Sequence, residues 1–451
     1  MASITYTQIV KFMLPLAFTK LVVIFGNQAL IRGLTPAENA AAALASFGIA
    51  FFICQFMVGI VFEFTNVSMV LVRSRRDALL ALVCMLVVGL LIVTTALLIG
   101  LTSLGTFLTD TVYSLSEDVA VGVNKCMLYL AMWPLIEGFN WLVFGLLLSH
   151  KHSVLVATAQ VLDIAVRVVF IFVLPLTGLP KTRPFLVPIL SMYIGMFIRV
   201  CLALIGYFKY LHGKLRKDTS LKERLTARQV FSFWSPLAVV NICQNISFPL
   251  TNLLVARDLA SAPDEAAKAV ATLSICYTTF MMTYHWLIDA RYLFPLYLNP
   301  SRKPTEEDEN IVRHITRFNI GYFLISMIIC VILFWIPGVI TNVLMALLGL
   351  KRDIAEMCIV PLRILTALPI TVSIRTHFTS WLMCLRRVEV TYPSAVARLV
   401  FAVATVFLLP LLGMHGASMG ALSLVICFAI EMVAVVIAAA FVKHCKKRKT
   451  P

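Results

Sequence analysis

Apolar residues run through this chain in long unbroken stretches, not in the two-sided patterns of a soluble fold. A run of about 20 apolar residues crosses the hydrocarbon of a bilayer as an α-helix. Such runs lie near 9–31, 40–62, 78–101, 124–149, 154–176, 184–208, 231–256, 266–288, 318–340, 358–385, 389–412 and 414–442. The pattern predicts an all-α polytopic membrane protein of about twelve transmembrane helices. An even number puts both termini on one side. The basic loop residues Arg73, Arg75, Arg76, Lys151, the run 209–228, the run 291–317, Arg386 and Arg387 fall on that side. By the positive-inside rule it is the cytoplasmic one.

The chain also repeats itself. Phe12 to Ala17 (FMLPLA) recurs as Phe233 to Ala238 (FWSPLA), 221 residues later. Leu174-Pro175-Leu176-Thr177-Gly178 recurs as Leu409-Pro410-Leu411-Leu412-Gly413, 235 residues later, an offset shared by Pro134 with Pro369 and by Lys151 with Arg386. These matches predict two six-helix bundles in parallel orientation around a central cleft. The expected boundaries are 1–208 for the first lobe, 209–230 for a basic cytoplasmic linker, 231–442 for the second lobe and 443–451 for a polybasic tail. In repeat-built transporters the substrate sits between the repeats near the midplane, reached by alternating access.

Polar residues inside the spans carry the candidate chemistry. The stretch 358–385 holds Arg363, Arg375 and His377 together with Thr371, Ser373, Thr379 and Ser380. An arginine at mid-membrane costs at least ~2.5 kcal/mol on insertion scales, so it needs a partner or a water-filled cavity. Pro369 loosens the helix between Arg363 and Arg375. Thr371, Arg375 and Thr379 share one face and read as the wall of an anion pathway. The alternative is that Arg375 pairs with a buried carboxylate such as Glu137 and locks helices together. The repeat sets Asn140 at the position of Arg375, with Glu137 one turn before it. Asn241, Gln244, Asn245 and Asn252 form a stripe that either binds a solute or joins helices by hydrogen bonds. Lys20, Asn27 and Gln28 lie on the equivalent first span, where Lys20 either meets an anion or snorkels to an interface. Asp163 and Arg167, spaced i,i+4, read as a structural pair. Arg199, Arg398 and Glu431 have no evident local partner.

Composition narrows the function. Hydrophobic residues make up 60% of the chain and the mean hydropathy is +0.93. The net charge of +16 follows from topology, so no nucleic-acid partner is expected. The 11 cysteines show no metal-ligand spacing and read as buried thiols. The tail KHCKKRK is expected to lie on anionic inner-leaflet lipid, with Cys445 open to palmitoylation. The segment 301–310 reads as a solvated loop. There is no P-loop, zinc-protease or nucleophile-elbow motif, so neither an enzyme nor a cofactor is expected. Carrier, channel and receptor remain, and the duplicated twelve-span plan favours a carrier driven by gradients.

Several stretches carry a resemblance: NQALIRG (27–33), FTNVSMVLVRSRRD (64–77), LLLSHKHS (146–153), PILSMYIGMFIR (188–199), NLLVARDL (252–259), PLRI (361–364) and LGMHGAS (412–418). Together they resemble the progressive ankylosis protein family, over about residues 8–442. The resemblance implies the fold of the multidrug and lipid-oligosaccharide flippase superfamily. It also implies release of inorganic pyrophosphate, ATP and citrate at the plasma membrane. These are multivalent oxyanions, which guanidinium groups fit bidentately. By the same resemblance Arg363, Arg375 and His377 are ligands, and Arg32 and Arg257 attract anions at outer helix ends. Ile24 and Asn27 replace acidic residues of other members, and Asn245 and Phe248 replace arginines, which marks a divergent paralogue. The expectation is a secondary transporter exporting small multivalent anions. The alternatives are a flippase of an anionic lipid, or a non-transporting regulator of extracellular pyrophosphate.

Overall fold

The computed structural model describes residues 4–34, 40–112, 117–179, 183–215, 224–259, 261–298, 306–348 and 352–448. Among these residues no strand forms, and eleven helices are long and apolar enough to cross a membrane. In hydrocarbon every backbone polar group must be satisfied within its own segment, and an α-helix does this. The chain divides into two compact units, Leu14–Ala238 and Val239–Pro451 with Met1–Met13.

The helices of the first half are α1 (Tyr6–Arg32), α2 (Ala40–Phe62), α3 (Phe64–Leu71), α4 (Arg75–Leu101), α5 (Glu117–Leu130), α6 (Trp133–Ser149), α7 (Ser153–Val173) and α8 (Leu186–Gly206). Those of the second half are α9 (Ala227–Asp258), α10 (Pro263–Tyr284), α11 (Glu306–Phe334), α12 (Val339–Leu348), α13 (Arg352–Met357), α14 (Ile359–Leu365), α15 (Leu368–Cys384), α16 (Tyr392–Leu408) and α17 (Gly416–Arg448). Local sequence sets several of these ends. Ser74 opens α4 with a capping box: its Oγ accepts from the Asp77 N–H at 3.1 Å, and the Asp77 carboxylate accepts from the Ser74 N–H at 3.0 Å.

Two segments differ from the sequence reading. The span expected at 266–288 is α10, a helix of 22 residues that opens with Asp264, Glu265 and Lys268 and passes into a 3₁₀ stretch, His285–Tyr292. It is not one of the eleven helices that reach the apolarity of a span, where about twelve were expected. Residues 306–310, expected in a loop, are the first turns of α11. Glu307, Asp308 and Glu309 sit there at the positive end of the helix dipole. Residues 301–305 lie outside the described ones, as do 449–451 and the side chain of Cys445.

The internal repeat is visible in the backbone. A break at Ala131–Met132 separates α5 from α6, and a break at Thr366–Ala367 separates α14 from α15. Pro134 and Pro369 stand in the first turn after each break, where a missing N–H costs nothing. α6 and α15 both span 17 residues, and their bounds differ by 235 at each end. Each closes in a Schellman motif. His152 N–H donates to Leu147 O and Arg387 N–H to Leu382 O, both at 3.0 Å. The residue at the turn is left-handed in both, Lys151 at φ 65° and Arg386 at φ 56°. The same offset joins Gly178 at φ 79° to Gly413 at φ 77°, each after a short 3₁₀ turn that contains the proline of the LPL motif.

Candidate functional site

Each unit holds a buried ionic cluster. In Val239–Pro451 the centre is Glu431 of α17, which is 0% exposed. Its Oε1 accepts from Gln244 Nε2 of α9 at 2.6 Å. Its Oε2 accepts from Arg375 Nη1 of α15 at 2.9 Å and also from Arg398 Nη1 of α16. Arg398 donates through Nε to Ser247 Oγ at 2.7 Å and lies 3.9 Å above the Phe428 ring. The Arg375 guanidinium is 5.7 Å from the same ring. Four membrane helices therefore meet on one carboxylate. Among the described residues the ion pairs here hold two cations against one anion.

In Leu14–Ala238 the charges balance. Arg167 bonds the Asp163 carboxylate with both forks, at 2.5 and 2.6 Å, one turn along α7. Arg199 of α8 bonds Glu137 of α6 and reaches Asp163 at 3.3 Å. Trp133 Nε1 donates to Glu137 at 3.3 Å. Two cations thus meet two anions. Gly195 makes this possible: a Cβ there would meet the Asp163 carboxylate and lie 2.7 Å from the Asp163 carbonyl oxygen. Only a bare backbone lets α8 approach α7 so closely.

The residues singled out from sequence are distributed as follows. Arg375, Gln244 and Glu137 lie in the two clusters, Arg375 on Glu431 and Glu137 on Arg199. Asn140 is fully buried one turn after Glu137, and neither of its amide atoms has a hydrogen-bond partner among the described residues. Thr371 turns back on its own helix and donates to Leu368 O at 2.8 Å. Asn245 donates to Asn241 at 2.6 Å within α9. His377, two residues beyond Arg375, faces the other way. It meets Asn319 of α11 at 3.0 Å and the Phe294 ring edge-on at 5.0 Å. Arg363 sits beyond the helix break. Its Nε donates to Phe334 O at 3.2 Å, the end of α11, where a cation suits the helix dipole. Lys20 lies 5.8 Å from the Phe62 ring. Asn27, Gln28 and Arg32 are in α1, but their side chains lie outside the described ones.

Glu431, Arg398 and Arg199 are cluster members that local spacing did not connect. A signal was present: the 235-residue offset that pairs Pro134 with Pro369 also pairs Asp163 with Arg398. Lone charges inside apolar spans, at one depth in neighbouring helices, have to find one another.

The fold has solved relatives. A MOP superfamily transporter from Pyrococcus furiosus, described as having a binding pocket of reverse polarity, superposes with a TM-score of 0.70 at 13% identity, covering 96% of this chain and 94% of that one. The Vibrio cholerae MATE transporter VcmN, as a point variant, gives 0.74 at 12% identity over 97% of both chains. An outward-facing multidrug resistance MATE family transporter gives 0.71 at 15% identity, covering 98% and 96%. The chain thus has the fold of MATE transporters. In sequence, residues 1–336 match the family described as Progressive ankylosis protein (ANKH), and the chain belongs to that family.

Proposed function

We infer that this protein is a transporter that exports small multivalent anions, namely inorganic pyrophosphate, ATP and citrate, across the plasma membrane by alternating access. Both termini are cytoplasmic in this reading. The observation that carries it is the excess of one cation around Glu431. Uncompensated positive charge in hydrocarbon is costly, and an arriving anion lowers that cost. Guanidinium forks match phosphate and carboxylate oxygens. Gln244 bonds the same carboxylate, and Asn241 and Asn245 continue the polar surface along α9. Family membership and the MATE fold support the transport class.

The test compares the medium of cells that express the chain with empty vector and with Arg375→Gln, assaying pyrophosphate, ATP and citrate together. The variant leaves Arg398 and Glu431 as a neutral pair, so it is expected at the surface at the wild-type level. A rise in at least one anion, abolished by Arg375→Gln, is the expected result. No rise at confirmed surface expression, or a rise that Arg375→Gln leaves intact, overturns the reading and favours the flippase or regulatory alternatives.

A further inference from the structure

A cavity of about 400 Å³ opens between α11 and α15, on the face of α15 that carries His377. Among the described residues no Lys, Arg, Asp or Glu lines it. Its polar end is formed by Asn319 and His377, and its apolar end by Phe323 and Ile370. The two ends have a fixed sense in the membrane. Arg313 and Arg317 precede Asn319 on α11, and Arg386 and Arg387 follow α15 beyond His377. The polar end therefore points to the basic edge of the helices and the apolar end to the hydrocarbon interior. Ile320 at 53% exposure and Ile370 at 41% leave the cavity open to lipid.

Asn319 supplies the second observation. It is 5% exposed, Nδ2 meets His377 Nδ1 at 3.0 Å, and Oδ1 has no hydrogen-bond partner among the described residues. Whichever way the amide is turned, one polar atom stays buried and unpaired at the cavity. A hydroxyl satisfies either orientation, because it both donates and accepts. The absence of charge in the lining disfavours a phosphate head. The volume is too small for a two-chain lipid. A fused-ring body suits the β-branched and aromatic walls and has little rotamer freedom to lose.

We propose that this groove binds a neutral, hydroxyl-bearing membrane lipid of the sterol class, its hydroxyl on the Asn319 amide and its rings against Phe323, Ile370 and Ile374. The site is separate from the Glu431 cluster and does not depend on which solute the protein carries. The experiment places the full chain in nanodiscs with a photoreactive sterol and maps the adducts by mass spectrometry. Adducts are expected within 316–323 and 370–378, displaced by unlabelled sterol. The analogue lacking the hydroxyl is expected to compete about five-fold more weakly, the loss of one hydrogen bond. Ile370→Trp fills the groove at a half-exposed position and abolishes labelling, whereas Leu90→Trp, at 54% exposure on α4, leaves it unchanged. Labelling spread over the lipid-facing helices, equal competition by the deoxy analogue, displacement by a two-chain phospholipid, or full labelling of Ile370→Trp would each overturn the proposal.

Discussion

Replacing Glu431 by Gln tests the Glu431 cluster most directly. Glu431 is the acid to which both guanidiniums bond, so Glu431→Gln leaves Arg375 and Arg398 buried without a counter-charge. Stripping one partner from a buried ion pair costs about 3–5 kcal/mol. Arg398→Gln is milder in charge, since Arg375 still balances Glu431. It loses a charge-assisted bond, the bond to Ser247 and the stack on Phe428, together about 6 kcal/mol, and regains the mutual repulsion of the two guanidiniums, about 3 kcal/mol, for a net cost of about 3 kcal/mol. Arg375→Gln loses one charge-assisted bond, worth about 1.5–3 kcal/mol. It also lifts the repulsion from Arg398, which bonds the same oxygen. Two unit charges roughly 5 Å apart at an effective dielectric near 20 repel by about 3 kcal/mol, so the net cost is within about 1 kcal/mol of zero. Thermal unfolding can be read with a thiol-reactive dye, because Cys243 and Cys427 are buried and become reactive on unfolding. The expected order of midpoints is wild type with Arg375→Gln, then Arg398→Gln, then Glu431→Gln. Arg375→Gln/Glu431→Gln should melt above Glu431→Gln alone. If Arg375→Gln falls as far as Glu431→Gln, Arg375 is part of a closed lock and the excess-charge argument fails.

Other perturbations have equally definite outcomes. Gly195→Ala pushes α8 off α7 at the Asp163 carbonyl and should destabilise by about 1–3 kcal/mol, seen as a lower midpoint in the same dye assay. Lys151→Gly and Arg386→Gly relieve left-handed backbone at φ 65° and 56°, and each should raise the midpoint by the equivalent of about 1 kcal/mol. Burial first, then the charges of Lys214 and His150, hold the His152 imidazole below its ordinary 6.5. The unfolded chain then binds that proton more readily, so stability present above pH 6.5 is lost as pH falls below it. Melting curves of wild type and His152→Gln should converge above pH 7 and separate in favour of the variant near pH 5.5.

The fold was legible because its cause is local. Each apolar run announces a helix, and Pro134 and Pro369 mark the breaks just before them. α10 was placed by its apolar core, although Asp264, Glu265 and Lys268 weaken its signal. The acidic start of α11 read as loop because charge alone does not distinguish a solvated turn from a helix that extends past the bilayer. The clusters were harder. Asp163 and Arg167 share a helix, and i,i+4 spacing exposes their pairing. Arg375 meets Glu431 across 56 residues and Arg398 meets Glu431 across 33, and no local period reports such contacts. Arg375 and His377, two residues apart in sequence, are on opposite faces of α15, since two residues turn a helix by more than half a circle.

The two clusters occupy related places with opposite polarity. In the first unit the acids stand on α6 and α7, as Glu137 and Asp163, and Arg199 reaches them from α8. In the second unit the cations stand on the counterparts of those helices, Arg375 on α15 and Arg398 on α16, and Glu431 meets them from α17. Asp163 and Arg398 are 235 residues apart, the repeat offset itself. A lock between three helices needs only neutrality, and either polarity supplies it. The first unit meets that requirement because Arg167 adds a cation to balance the second acid. The second unit bonds two arginines to one glutamate and so exceeds what helix packing requires. That surplus is the feature a purely structural cluster leaves without a purpose, and an arriving oxyanion would balance it.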